Sequence, residues 1–335
     1  MGEAQDLQAA LERCGFLAPG ECATLTPMAG GVSCDVYAVE REDGRRFVAK
    51  QSLPRLRVAA EWLAPVERAA SEVRWLAFAR AIDPRLAPEV LAECEAEHLF
   101  TMRLLPPDTH PVWKDQMATG HVDAGFAGAV GRDLARIHAS SAARPALAAA
   151  FQTDALFLAL RVEPFLLYVA DRDAAAAPRL RALARDLMTR KTALVHGDIS
   201  PKNILAGPDG PVFLDAECTV WGDPAFDLAF CLTHLLLKTV WLKPQARALL
   251  DAFEALWTQY RAGVDWEPAA DLAGRAAALI AGLLLARIDG KSPAPYLTDA
   301  TDKAFIRASA HGLLAAPALD LDLLARRWRQ ALAAA

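Results

Sequence analysis

The chain has no excess of positive charge, few aromatics, no metal-type cysteine spacing and no apolar run of membrane-spanning length. Its 335 residues set 36 Lys and Arg against 41 Asp and Glu, a net charge of −5. Without a basic field, neither nucleic acid nor an acidic membrane is expected as a partner. The six cysteines, at positions 14, 22, 34, 94, 218 and 231, show no CxxC spacing and no neighbouring histidine cluster. That argues against a zinc site and reads as reduced thiols. The start, MGEAQDLQAALERCG, contains no apolar signal core. The most hydrophobic segment, 276–286, is eleven residues between Arg275 and Arg287, short of what a bilayer requires. A cytoplasmic protein is the simplest expectation. What is plentiful is apolar residue, 54% and much of it alanine, enough for two helix-rich domains with substantial cores.

The stretch Leu194 to Leu205, LVHGDISPKNIL, concentrates polar chemistry between apolar flanks, and Asp215 follows in VFLDAEC. Asp198, then Asn203, then Asp215 at the end of a β-type run supply one base and two oxygen ligands. Phosphoryl transfer from a nucleotide requires that set: Asp198 to orient an acceptor hydroxyl, Asn203 and Asp215 to hold Mg²⁺ on the triphosphate of ATP. Glu217, in the same LDAE loop, joins the candidate metal set. A turn whose Asp, Ser, Pro and Asn merely cap neighbours is the plainer alternative.

Upstream, 25–39 (LTPMAGGVSCDVYAV) reads as strand, glycine turn and strand. Gly30 and Gly31, followed by Ser33, would permit close backbone approach to phosphate, although a Gly-Gly pair also suits an ordinary hairpin. RRFVAKQ, 45–51, reads as the next strand and carries Lys50. That lysine can pair with nucleotide phosphates if a carboxylate on the following helix fixes it. Glu72 is the candidate, with Glu67 five positions earlier on the same helix. HLFTMRLL, 98–105, reads as a last sheet strand; if it leads into a connector, adenine would meet the backbone of Met102, Arg103 and Leu104.

These residues carry a family resemblance. HGDISPKNIL resembles the catalytic loop of the aminoglycoside phosphotransferase and choline kinase group, relatives of protein kinases; LDAE resembles their metal loop, and GDPAFDLA the segment after it. VAKQSLPRLRV and APVERAASEVRWL are similar to the N-terminal lobe of 5-methylthioribose kinases, in which a tryptophan also stands near the position of Trp62. The resemblance implies an α+β, bilobal protein-kinase-like fold. A small antiparallel-sheet lobe, 1–105, would bind ATP, and a larger, mainly helical lobe, 106–335, would carry catalysis and the acceptor. It also implies a structural role for His196, bonding backbone around the metal loop. Arg287 in ARIDGKSPAPYL matches one arginine of a substrate-binding pair in methylthioribose kinases; the other position is Ala286, and those kinases carry serine where this chain has Asn203.

Only seven residues separate Asp215 from Asp223, too few for a peptide-docking activation segment. A small-molecule hydroxyl acceptor is therefore expected, sugar or nucleoside-like, or an amino alcohol or aminoglycoside, with Asp223 and Arg287 as substrate candidates. The protein would act as monomer or homodimer. A nucleotide-binding regulator that has lost transfer is the alternative, but decay of that kind removes a base or a ligand, and here Lys50, Asp198, Asn203 and Asp215 are all present. Helical periodicity is expected at 7–15, 65–81, 126–140, 156–169, 178–190, 226–242, 244–260, 268–288 and 319–334, with 141–150 a loose connector.

Overall fold

The computed structural model describes residues 3–28, 33–55, 57, 65–316 and 320–334. Gly30, Gly31 and Trp62 lie outside them. Helix α1 (Glu3–Arg13) presents Leu7, Ala10 and Leu11 at helical spacing to a sheet face formed by Tyr37, Val39, Phe47, Ala49 and Leu99. The sheet is antiparallel: β1 (Ala23–Pro27), β2 (Cys34–Arg41), β3 (Arg46–Ser52), β4 (Val90–Cys94) and β5 (Leu99–Arg103), in the order β1-β2-β3-β5-β4. Strand alternation turns Val48 and Lys50 away from α1, toward helix α2 (Arg68–Ile82), which packs against β3, β4 and β5.

Cys14, just past α1, and Cys94, at the end of edge strand β4, form a disulfide with Cα atoms 5.9 Å apart. The expectation of reduced thiols is corrected at this pair. The two cysteines are 80 positions apart in the chain, and only the folding of α1 across the sheet brings them together. Cys22, Cys34, Cys218 and Cys231 are free.

Beyond β5 come α3 (Trp113–Ala118) and α4 (Ala124–Ala142), the latter capped by Asp123, whose carboxylate accepts from the Gly125 and Phe126 N–H groups. A 3₁₀ turn, Pro145–Ala150, stands where a loose connector was expected. α5 (Asp154–Phe157) passes into π-helical turns over Leu158–Leu167 and then α6 (Tyr168–Ala170). One regular helix was expected here; Pro164 removes a donor and crowds the preceding turn, and the chain widens instead.

After α7 (Ala177–Thr189) the catalytic segment is built from two small antiparallel pairs. β6 (Ala193–Val195) pairs with β9 (Val220–Gly222), and β7 (Ile204–Gly207) pairs with β8 (Gly210–Phe213). Behind them stand α8 (Ala225–Trp241), α9 (Ala246–Ala262), α10 (Ala269–Asp289), α11 (Ala300–Leu314) and α12 (Leu321–Ala334). Gly131 lets α4 come against α9 so closely that a Cβ there would collide with the Leu256 carbonyl.

α10 is 21 residues long, twice the apolar run read from sequence, and is long and apolar enough to span a bilayer. Two thirds of its most apolar window (67%) is buried within the protein; it packs against α8 and α11 as a core helix. α11 was not anticipated, because only Ile306, Ala310 and Leu313 mark its buried stripe. The architecture is the expected two-lobed α+β arrangement, a small antiparallel sheet beside a larger, mainly helical remainder.

Candidate active site

β3 sits at the centre of the sheet, so Lys50 enters the interior with little choice of direction. Its ammonium donates to both oxygens of Glu72 (2.8 and 2.7 Å) and to Asp215 Oδ1 (2.5 Å). Glu72, not Glu67, is therefore the partner on α2. Burial opposes the charge on Lys50, but Asp215 and Glu72 outweigh it and hold the ammonium well above its ordinary value. Burial pushes Glu72 up to about 7 despite Lys50. Asp215 resists the same burial because Lys50 and Lys202 hold it below the usual carboxylate range. Asp215 also has φ of +67°, a left-handed conformation that costs a non-glycine residue about 1–3 kcal/mol and is found where function fixes the backbone.

Asp198 lies in the loop after β6. Asn203 Nδ2 donates to its backbone oxygen (3.0 Å) and to Oδ2 (2.8 Å). Arg161 and Lys202 make their shortest contacts with the same Oδ2, at 3.0 and 3.1 Å. These donors gather on one oxygen and leave Oδ1 with the freer lone pairs. Gly197 has φ of +84°, and a Cβ there would strike the Cys218 carbonyl, which accounts for glycine in HGD. His196 is neutral and structural: burial lowers its pKa, Nε2–H donates to the Leu214 carbonyl (3.0 Å), and Nδ1 accepts from the Asp198 N–H (3.1 Å).

Two residues here were not singled out from sequence. Arg161, in the π-helical stretch, donates through Nε to the Gly197 carbonyl (2.5 Å) while pairing with Asp198. Burial works against its charge, yet Asp198 keeps it protonated. Asp227, in the first turn of α8, accepts from the N–H groups of His196 (2.6 Å) and Gly197 (2.8 Å) and contacts His138 Nε2 (3.2 Å). His138 in turn meets the Tyr260 hydroxyl at 2.7 Å. The GDPAFDLA motif held the only sequence signal for Asp227; Arg161 had none beyond being a charge in an apolar run.

A cavity of about 340 Å³ brings many of the expected residues together. Lys50, Glu72, Asn203 and Asp215 line it together with the apolar Val36 and Met102 and with Arg103 and Leu104. Ser33 and Glu217 take other roles. The Ser33 hydroxyl donates to Glu217 Oε1 (2.6 Å), while Cys34 (3.3 Å) and the buried Arg68 (2.9 Å) donate to Oε2. In this structure the Ser33 hydroxyl is therefore engaged with Glu217, and Glu217 with the buried Arg68. Among the described residues no three His, Cys, Asp or Glu side chains form a metal cage. The Asp215 carboxylate and Asn203 carboxamide could hold a cation together with ligand oxygens, a hard donor set that would suit Mg²⁺.

The two acceptor candidates part company. Asp223 is buried and held in an internal ion pair by Arg275 Nε (2.8 Å) and Nη2 (3.0 Å). Arg287 lines a second cavity, of about 410 Å³, together with Ser200 and Lys202 of the catalytic loop.

The family model of APH, the phosphotransferase enzyme family, matches residues 24–272. The chain belongs to the phosphotransferase enzyme family. It is a phosphotransferase, and the resemblance to the aminoglycoside phosphotransferase group is borne out. The phosphotransferase is 30% identical over 82 residues to methylthioribose kinase from Bacillus cereus, a match covering 21% of this chain and 21% of that protein. Similar solved structures include an amicoumacin kinase, hAmiN, in complex with AMP-PNP, Ca²⁺ and Ami (TM-score 0.57, 15% identity, 93% of this chain and 94% of that one). Another is a choline/ethanolamine kinase family protein from Mesorhizobium loti (TM-score 0.51, 16% identity, 99% of both chains). At such identities the likeness speaks to the fold alone.

Proposed function

We propose that the phosphotransferase is an ATP-dependent kinase that moves the γ-phosphoryl group to a hydroxyl of a small metabolite, sugar or nucleoside-like, or an amino alcohol or aminoglycoside. The observation that carries this reading is the convergence of Lys50, Glu72, Asn203 and Asp215 on one cavity, with Asp198 hydrogen-bonded to Asn203 (2.8 Å). Residues 1–105 form the nucleotide lobe and 106–335 the catalytic lobe, with Pro106-Pro107 at the join because proline cannot continue a central strand. Lys50, fixed by Glu72, pairs with the nucleotide phosphates. Adenine lies against the apolar wall and hydrogen-bonds to backbone near Met102–Leu104.

Asn203 and Asp215 hold Mg²⁺, which when bound neutralises charge on the triphosphate. Asp198 accepts the acceptor's hydroxyl proton through Oδ1 while Arg161, Lys202 and Asn203 anchor Oδ2. Arg161 and Lys202 fix the carboxylate in place, which suits a reaction whose transition state is loose and in which positioning dominates. No observation favours the inactive regulator, since base and ligands are all in place.

Steady-state kinetics on an acceptor found by ADP release tests the roles. Asp198→Asn should lower kcat by about 10²–10⁴ and retain Mg-ATP binding, whereas Asp215→Asn should weaken Mg-ATP binding itself. Wild-type turnover in Asp198→Asn would remove the base assignment.

A further inference from the structure

The second cavity lies against the catalytic loop, walled by Ser200 and Lys202, by α8 and α10, and by Tyr296. Its lining includes Lys114, Lys202, Lys238 and Arg287 and no Asp or Glu. Among the described residues five buried side-chain polar atoms lack a hydrogen-bond partner, and three of them line this one cavity: Ser200 Oγ, His234 Nε2 and Arg287 Nε. Native proteins leave few such atoms unpaired, so their meeting in one place marks a site for an outside ligand.

Lys238 sharpens the chemistry. It is 1% exposed, and its ammonium has no carboxylate partner and no hydrogen bond among the described residues. It rests over the rings of Tyr296 (4.5 Å to the centroid) and Trp241 (5.2 Å). Burial, Lys114 and Arg287 together push it down to about 7. Asp115, the acidic residue that acts on it most, is paired with Lys114 at 3.4 Å. A buried cation with no counter-charge is costly, and Arg287 beside it adds repulsion. An oxyanion would relieve both and accept from Ser200 and Arg287; a second cation would aggravate both.

We infer that this cavity holds an anionic group of the acceptor, a carboxylate or phosphate ester, bound by Lys238 and Arg287 while the acceptor's hydroxyl reaches Asp198 past Ser200 and Lys202. The inference rests on the kinase reading above and narrows it: the substrate is a hydroxy acid or phosphorylated polyol, not a cationic amine.

The full chain, saturated with Mg-ADP to fill the nucleotide cavity, is titrated with sodium sulfate, with sodium chloride at equal ionic strength as control. Sulfate should bind, Lys238→Met should weaken it at least tenfold, and Lys238→Arg should keep it within a few-fold. If Lys238→Met does not fold, Arg287→Gln makes the same test. ADP release is then compared for ribose 5-phosphate, gluconate, ribose and glucosamine; the first two separate phosphate from carboxylate and should exceed the neutral and cationic sugars. Sulfate binding that is absent or indifferent to residues 238 and 287, or faster turnover of ribose or glucosamine, overturns the inference. Failure of Mg-ADP to bind, with sulfate binding intact, would instead defeat the kinase reading and leave the anion site standing.

Discussion

The two cavities that meet at Lys202 treat buried charge in opposite ways. In the nucleotide cavity the chain answers its own cation: Lys50 lies between Glu72 and Asp215 within 2.8 Å. In the acceptor cavity Lys238 and Arg287 are buried with no carboxylate in the lining. A protein compensates internally the charges it must hold in every state. It leaves uncompensated those whose partner comes from outside. One lysine is therefore held by the chain's own carboxylates before any ligand arrives, and the other is left for a ligand to answer.

Removing each lysine in turn should separate the two cavities most clearly. Lys50→Met leaves Glu72 and Asp215 facing one another unpaired, and breaking a buried pair in this manner costs about 3–5 kcal/mol. Urea denaturation should show that loss; a loss below about 1 kcal/mol would mean that Lys50 is not the structural partner described. Lys238→Met should act with the opposite sign, because it deletes a buried charge with no partner. Its pH dependence follows from linkage. The folded pKa is about 7 against about 10.4 unfolded, so between those values the unfolded chain binds more protons and wild-type stability rises with pH. Burial, then Lys114 and Arg287, depress the value while Asp115 and Cys231 raise it. Lys238→Met should therefore be more stable than wild type near pH 7, with the advantage shrinking toward pH 10. A pH-independent difference would contradict the buried-cation description. The smallest effect is expected at Arg287, whose Nη1 donates to the Ser292 carbonyl and whose Nε is unpartnered. Arg287→Ala should raise the acceptor KM about tenfold or more, the worth of one hydrogen bond to a charged group, and leave the KM for ATP unchanged. An unchanged acceptor KM would take Arg287 out of the site.

What sequence made legible in this comparison follows from distance along the chain. Asp198, Asn203 and Asp215 fall within eighteen residues of one another, between apolar flanks, so local pattern sufficed. Lys50 and Glu72 were readable because strand and helix place them in known order. Ser33 and Glu217 were not, since their partner Arg68 is reached only when the sheet lobe closes on the metal loop. Arg161 and Lys238 look like single charges interrupting apolar helices, and a helix pattern cannot say whether such a charge meets solvent, a carboxylate or a cavity. The pairing of Asp223 was hidden for the same reason: its answering charge, Arg275, lies 52 residues on. The Cys14–Cys94 bond and α11 likewise depend on tertiary packing that short-range periodicity does not contain.

On the reading proposed above, the cavity around Lys50, Asn203 and Asp215 binds a nucleotide with a divalent cation. Thermal unfolding of wild type and Asp215→Asn, with and without Mg-ATP, addresses it without any knowledge of the acceptor. At about a hundred times the dissociation constant, Mg-ATP should stabilise wild type by about 2.7 kcal/mol, with a smaller shift in Asp215→Asn and in wild type deprived of magnesium. No shift of the wild-type midpoint with ATP, GTP or ADP in the presence of magnesium would contradict the account.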